Sequence, residues 1–227
     1  MGYCGALFAI AALMTLFGAS APRADEAADS ARLAQAPDLD LETDTAPQPD
    51  RLRRKAAERL RQAEESESIG HVIDARSQYG EASDLYRQAG DRAGEAMALL
   101  ARGALERRLG NVDAASADVA AAQNIFNRLD DPAREATALL MLGQLDLERQ
   151  EFEFALSSLD RARHLFRQRG DRLGEADALA AIAEVERDLG DRDLAARDFE
   201  MAADLYDAAG RPERADWALE QAAAMAE

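Results

Sequence analysis

Lysine, cysteine and aromatic residues are scarce in this sequence, and each shortage excludes a class of protein. One lysine (Lys55) stands among 227 residues, and 44 acidic residues outnumber 27 basic ones, which gives a net charge of −17. The arginines are interleaved with acids, so the chain lacks the basic clusters that phosphate contacts require, and nucleic-acid binding is not expected. A single cysteine (Cys4) excludes a disulfide-stapled miniprotein and a zinc ribbon. With 5% aromatic residues, a large ring-lined pocket is not expected either.

The N-terminal segment has the composition of an export signal. Residues 1–22 carry no charged side chain, and residues 6–17 form a nearly continuous apolar run followed by small residues. This pattern predicts a signal peptide over 1–24, with cleavage after Ser20 or Ala24 because Pro22 disfavours cleavage after Ala21. The alternative is an uncleaved anchor, since the uncharged stretch could just span a bilayer. High Arg, Ala and Asp usage indicates a bacterial source, so we expect a periplasmic or secreted protein.

Residues 25–50 form the next segment, and their composition is that of a linker. Four of the six prolines lie between residues 22 and 49, and residues 21–50 contain eight acids against two arginines. Such a segment buries too little apolar surface to offset its ordering entropy. We therefore predict an acidic, disordered linker; a peptide that docks on a basic partner is the alternative.

The remaining chain repeats every forty residues. Residues 91–130 and 171–210 are identical at sixteen of forty positions, and a pair of large side chains recurs at the same interval: Leu85-Tyr86, Ile125-Phe126, Leu165-Phe166 and Leu205-Tyr206. A fixed period of this length indicates a repeat array. We place repeats at about 51–90, 91–130, 131–170 and 171–210, with a capping helix over 211–227.

Each repeat has the apolar spacing of two helices separated by a Gly or polar break. The predicted helices are 51–69, 72–89, 93–109, 113–128, 133–149, 153–169, 173–189, 193–208 and 212–226. Arg59 replaces a leucine of the later repeats and is expected to face outward at the N-terminal end. Trp217 and Leu219 are expected to pack the last helix onto its neighbour. The predicted fold class is an all-α solenoid of antiparallel helix hairpins.

Small residues recur where two helices of one repeat would cross. In the first helix of each repeat they are Ala63, Gly103, Gly143 and Ala183; in the second they are Ala75, Ala115, Ala155 and Ala195, then Ala82, Ala122, Ala162 and Ala202. A large residue stands between the two alanine columns: Tyr79, Val119, Leu159 and Phe199. This pattern resembles the tetratricopeptide repeat (TPR) family over residues 51–227, in the forty-residue form of kinesin-light-chain-like arrays. The acids Glu106, Asp146 and Glu186 depart from the family, which usually has an aromatic there.

The resemblance implies a right-handed superhelix whose concave wall is formed by the first helix of each repeat. It places these residues in a partner groove: Met97, Leu100, Ala101, Ala104, Arg108, Thr137, Leu140, Met141, Gln144, Glu148, Asp177, Ala180, Ala181, Glu184 and Asp188. The residues of this wall change from mostly apolar in the second repeat to mostly acidic in the fourth. Leu100, Leu140 and Leu147 fit the core as well as the groove, whereas the flexible thioether of Met141 favours the groove. The Lys, Asn and Arg clamp by which some relatives hold a peptide C-terminus is absent.

No constellation of residues indicates catalysis, a metal site or a cofactor. His71 and His164 lie 93 residues apart, and both are expected on the surface. The recurring acids Glu106, Asp146 and Glu186 would suit a cation or a basic peptide if they formed a free stripe, but the nearby arginines favour local ion pairs for most of them.

The predicted function is a non-enzymatic scaffold of the cell envelope that binds a protein or peptide segment, basic or amphipathic in character. Two alternatives are self-association through the C-terminal helix and a role as an accessory subunit of an envelope enzyme complex. Membrane contact is expected only through an uncleaved N-terminal segment.

Overall fold

The computed structural model describes residues 48–225, which form nine α-helices and contain no strand. The helices are α1 (Gln48–Ser68), α2 (Val72–Gln88), α3 (Arg92–Arg108), α4 (Val112–Arg128), α5 (Pro132–Glu148), α6 (Phe152–Arg169), α7 (Arg172–Leu189), α8 (Arg192–Ala208) and α9 (Pro212–Ala224). Each packs mainly against the helix before it and the helix after it. The all-α solenoid of helix hairpins is therefore confirmed. The predicted signal segment, and the predicted linker as far as residue 47, lie outside the described residues.

The helix ends lie close to those predicted, and the largest difference is at α1. This helix begins at Gln48, so the last three residues of the predicted linker are helical. Pro49 is tolerated because the first turn needs no N–H donor from it. Asp50 accepts a hydrogen bond from Arg53 at 2.9 Å, which fastens the first turn. None of the helices in residues 48–225 is long and apolar enough to cross a membrane.

The turns between helices repeat every twenty residues. Each contains one residue with a left-handed backbone: Gly70, Gly90, Gly110, Asp130, Gln150, Gly170, Gly190 and Gly210. Glycine adopts this conformation without steric cost, whereas Asp130 and Gln150 adopt it at φ 54° and 60° against a local penalty. The repeat architecture therefore dictates the turn geometry even where glycine is missing.

The first helix of repeats two to four begins with an aspartate cap. Its side chain accepts a hydrogen bond from the backbone N–H three residues later, at distances of 2.9 to 3.1 Å, in Asp91, Asp131 and Asp171. Such a cap stabilises a helix by about 1 kcal/mol. Pro132 and Pro212 occupy the first positions of α5 and α9, as predicted.

The core follows the predicted columns of small and large residues. All eight alanines of the two columns in the second helices are fully buried, and Val119, Leu159 and Phe199 between them have no exposed surface. Each crossing is tight: a Cβ added at Gly143 would lie 2.4 Å from Cγ of Leu159. The helices approach closely because one of the two facing side chains is absent or small.

The two ends of the stack differ from the prediction. Arg59 does not face outward; it is half-buried and pairs with Glu81 of α2 at 3.0 Å. At the other end, Trp217 meets Phe199 edge to face, with ring centroids 5.9 Å apart. Leu219 is 49% exposed, so its predicted packing role is wrong. It lies on the face of α9 where earlier repeats receive another helix, and the packing of α9 is supplied instead by Ala215, Ala218 and Ala222.

Candidate partner-binding groove

The predicted groove residues lie on one face of α3, α5 and α7, which we call the groove face. Five are exposed: Met97, Arg108, Thr137, Glu148 and Asp188. Eight are half-buried: Leu100, Ala101, Ala104, Leu140, Met141, Gln144, Asp177 and Glu184. Two are buried, Ala180 and Ala181, at 5% and 4% exposure. The assignment of these residues to a partner groove stays a prediction.

The middle of the groove face is apolar, and its side chains are partly packed in the core and partly exposed to solvent. Leu100 and Met141 pack against the core cluster around Phe126, and Leu140 packs against Leu139 and Ala181. Because all three side chains are half-buried, part of each is also exposed to solvent. The sequence left open whether these residues belong to the core or to the groove. In the structure they pack in the core and also contribute surface to the groove face.

The groove face exposes less apolar surface in the fourth repeat than in the second and third. Ala180 packs against the α8 and α9 core, and Ala181 packs against Leu159 of α6. These alanines are too short to reach past their neighbours to solvent. The groove face of α7 is consequently formed by its acids, Asp177, Glu184 and Asp188.

Ion pairs connect successive repeats along the edge of the groove face near the ends of its helices. Arg107 of α3 donates to Gln144 and to Glu148 of α5, each at 2.6 Å. Arg108 pairs with Glu67 of α1, whose carboxylate also accepts a hydrogen bond from Tyr79. These contacts span about forty residues of sequence, so they fix the first three repeats relative to one another.

The acids of α7 differ in how well they are neutralised. Asp177 accepts a hydrogen bond from the Tyr206 hydroxyl at 2.7 Å and forms an ion pair with Arg214 at 2.8 Å. The guanidinium of Arg214 also lies 4.5 Å from the centre of the Tyr206 ring. Burial raises the pKa of Glu184, and the positive charges of Arg187 and Arg107 oppose that rise. Glu184 is thus a half-buried carboxylate whose ionised form a nearby cationic group would stabilise.

The recurring acids Glu106, Asp146 and Glu186 do not all form the predicted local pairs. Glu106 is bound instead by Arg76, which lies thirty residues earlier on α2, at 2.6 Å. Asp146 lies 3.9 Å from Arg149, as predicted, and burial raises its pKa. For Glu186, the Oε2 atom is buried without a hydrogen-bond partner. The prediction fails for Glu106 because its arginine comes from the helix of the preceding repeat, while the local turn supplies only the Asn111 amide, at 2.8 Å. It fails for the Glu186 oxygen because no donor reaches it.

A second set of buried acids was not singled out from the sequence. Glu95, Glu135 and Glu175 recur at forty-residue spacing near the start of α3, α5 and α7, and each is less than 10% exposed. Glu135 accepts hydrogen bonds from Gln123 and Asn127 of α4, both at 3.0 Å, and Arg161 of α6 pairs with it. It thereby joins three helices. The forty-residue spacing was the available signal, although spacing alone does not distinguish a buried acid from a solvated one.

The remaining candidates for chemistry lie on the surface. His71 and His164 are exposed, as predicted, and His164 lies 2.8 Å from the Gln168 amide. Within residues 48–225, no group of three or more His, Cys, Asp or Glu side chains could hold a metal ion. A hollow of about 710 Å³ lies at the turns, lined by residues that include Arg76 and Arg149, and does not include the groove residues.

Three solved structures with the same fold are distant from this chain in sequence. The apo form of RapI superposes with a TM-score of 0.66 at 12% identity, covering 75% of this chain and 48% of its own. A Rap protein complexed with Competence and Sporulation Factor gives 0.62 at 17% identity, covering 73% and 47%. A protein of nearly identical TPR-like repeats from Podosopora anserina gives 0.57 at 13% identity, covering 79% and 97%.

The comparisons establish the fold. The matched region spans about half the length of the two Rap proteins. No family model matches the sequence, and no curated protein matches it. Residues 48–225 nonetheless form repeated helix hairpins, and they superpose on solved structures that have TPR-type repeats. The described part of the chain is therefore a TPR-like α-solenoid.

Proposed function

We propose that the protein is a non-enzymatic scaffold that holds a segment of a partner protein against its groove face. The observation that carries this proposal is the unfilled apolar surface in the middle of that face. Met97 is 44% exposed there, beside the half-buried Leu100, Leu140 and Met141. Repeat solenoids use such extended faces for binding. The Rap complex with Competence and Sporulation Factor supports the proposal by showing the same fold with a bound factor.

The charge of the groove face favours a basic or amphipathic segment. Its apolar middle, on α3 and α5, is followed by Glu184 and Asp188 on α7. The whole chain carries a net charge of −17, which favours encounter with positively charged partners. A helix with one apolar face and flanking Lys or Arg residues matches both features.

The cell envelope is the proposed location. This part of the proposal is supported by the apolar run over residues 6–17 and the small residues after it. A partner would then be an envelope protein, or a subunit of an envelope enzyme complex to which this chain is an accessory.

Substituting the apolar middle of the groove face with acids is expected to abolish partner capture from an envelope extract. Leu140→Glu with Met141→Glu removes apolar contact area and places two charges where the partner would exclude water. Mass spectrometry of proteins retained by the parent and lost by the variant identifies the partner. Calorimetry with that purified partner then measures the loss of affinity.

Two further variants make this test specific. Met97→Glu with Thr137→Glu alters only exposed positions of the groove face, so it tests binding without disturbing the core. Ala121→Glu with Ser157→Glu adds the same charge to exposed positions of α4 and α6 outside the groove face. Capture that survives both groove variants, with folding confirmed by circular dichroism, contradicts the proposal. Loss of capture with the α4 and α6 variant contradicts it too.

Self-association through α9 is a second candidate function, and exposed Leu219 favours it. The matching residues Leu139 and Leu179 are buried under the following helix, whereas Leu219 is 49% exposed. A second copy could cover this surface. Light scattering is expected to show a dimer that Leu219→Lys converts to a monomer. A monomeric parent at high concentration eliminates this function.

A further inference from the structure

Glu186 occupies a repeat position whose ion-pair partners have been replaced. In the second repeat, the matching Glu106 accepts hydrogen bonds from Arg76 at 2.7 Å and from Asn111 at 2.8 Å. Eighty residues later, the positions of Arg76 and Asn111 are held by Leu156 and Asp191. The fourth repeat therefore keeps the carboxylate, but an apolar residue and an acidic residue replace its two hydrogen-bond donors.

A second carboxylate beside Glu186 has lost its partner in the same way. Asp118 of the second repeat is bound by Arg102 through two hydrogen bonds. In the fourth repeat the matching positions are Asp198 and Ile182. The fourth repeat therefore keeps the aspartate without the arginine that binds it in the second repeat. Burial raises the pKa of Asp198, and the positive charges of Arg163 and Arg197 oppose that rise.

The charged groups that act on Glu186 come from the helices on both sides of α7. Asp160 lies on α6, and Asp198 lies on α8 with Arg197, a cation that opposes the three aspartates; Asp191 lies just before α8. Arg163 of α6 is engaged with Asp160 at 2.9 Å. Oε2 of Glu186 is buried and accepts no hydrogen bond. Burial, followed by the repulsion of the three aspartates, raises the pKa of Glu186 to about 7.

We propose that Glu186 is a proton-dependent latch of the fourth repeat, which keeps α7 packed between α6 and α8 while it carries a proton and loosens that packing when it ionises. A neutral carboxyl relieves the repulsion from Asp160, Asp191 and Asp198 and lowers the cost of the buried Oε2. Ionisation restores both penalties. The local opening of a repeat is the motion that a solenoid permits without unfolding its other repeats.

The sign of the pH dependence follows from linkage. The pKa of Glu186 is higher in the packed state than its ordinary value of 4.5, so the packed state binds the extra proton. The latch is fully effective below about pH 4.5 and is lost as the pH rises towards 7. In this interval the opening constant increases by up to tenfold per pH unit, and above pH 7 it levels off.

Trp217 supplies a local probe for the test. It is the only tryptophan of the chain, and its ring lies 5.9 Å from Phe199 of α8, between centroids. Urea titrations of the full protein at pH 5, 6, 7 and 8 are followed by Trp217 fluorescence. We expect the urea midpoint to fall from pH 5 to pH 7 and to change little from pH 7 to pH 8.

The variant Glu186→Gln separates the latch from other titrating groups. It should sharply reduce the fall in midpoint between pH 5 and pH 7, leaving only the part that belongs to Asp198 and Glu184, whose pKa values burial also raises. It should also raise the midpoint at pH 8 above that of the parent. Leu156→Arg, which recreates the Arg76 position, should raise the midpoint at pH 8 as well. Glu106→Gln in the second repeat is the matched control and should leave the pH dependence of the Trp217 signal unchanged.

Three results would overturn the latch. They are a Glu186→Gln variant that keeps the parent's fall in midpoint, a Glu186→Gln variant that unfolds at pH 8 where the parent is folded, and an equal loss of the pH dependence in Glu106→Gln.

Discussion

Replacing Arg102 with leucine is expected to lower the free energy of unfolding by about 3 kcal/mol, at the lower end of what breaking a buried ion pair costs. Arg102 donates to both carboxylate oxygens of Asp118, at 2.6 Å from Nε and 2.5 Å from Nη2. Asp118 is 8% exposed, so the variant leaves an ionised carboxylate that water barely reaches. Urea unfolding followed by circular dichroism measures the loss.

The third repeat supplies the matched control for Arg102. It carries Leu142 and Ser158 at the positions of Arg102 and Asp118. The double variant Arg102→Leu, Asp118→Ser therefore copies a pair that the same fold already accommodates, and it should recover most of the lost stability. Parent-like stability of the single variant would show that Asp118 is solvated and the pair unimportant. A double variant as unstable as the single one would assign the effect to packing instead of charge.

Gly143→Ala is expected to destabilise the protein by about 1–3 kcal/mol, although alanine is the better helix former by about 1 kcal/mol. The added Cβ would lie 2.4 Å from Cγ of Leu159 and 3.2 Å from the carbonyl oxygen of Ala155. Neither neighbour can retreat, because Leu159 and Ala155 are fully buried and one contact is to backbone. Thermal unfolding followed by circular dichroism gives the change in stability.

Gly80→Ala tests whether the effect belongs to the helix crossing. Gly80 is also helical, but its added Cβ would meet only the end of the flexible Arg102 side chain, at 3.0 Å. This control should cost less stability than Gly143→Ala, because only the end of the Arg102 side chain has to shift and the buried helix crossing is untouched. Equal stability of Gly143→Ala and the parent would show that α5 and α6 do not cross at this residue.

The fold was predictable because the repeat imposes the same packing four times. Columns of small residues such as Gly143 and Ala155 can recur at forty-residue spacing only if helices approach closely at the same point in every repeat. The helix periodicity gave the bounds within a few residues, and the turns followed from glycines such as Gly110 and Gly190. Where the turn residue is Gln150, the repeat register still placed the turn correctly.

The electrostatic details were not predictable, since they depend on which helix faces a given side chain. The partner of Glu106 is Arg76 of the preceding repeat, and no spacing rule within one helix would find it. The burial of individual residues on the groove face was not predictable either. Ala180 and Met141 were both predicted groove residues, yet Ala180 is buried by its neighbours and Met141 is only half-buried. Leu219 matches a core column, but it is exposed because no further helix covers α9 among the described residues.

The most direct test of the central claim, that a partner segment lies against the groove face, is site-specific photocrosslinking in the native envelope. A benzophenone amino acid at Thr137, an exposed position of the groove face on α5, is compared with the same group at Ala121, an exposed position of α4 outside it. We expect a discrete crosslinked protein from Thr137 and none from Ala121. Crosslinking from Ala121 with none from Thr137 would contradict it and place the binding surface outside the groove.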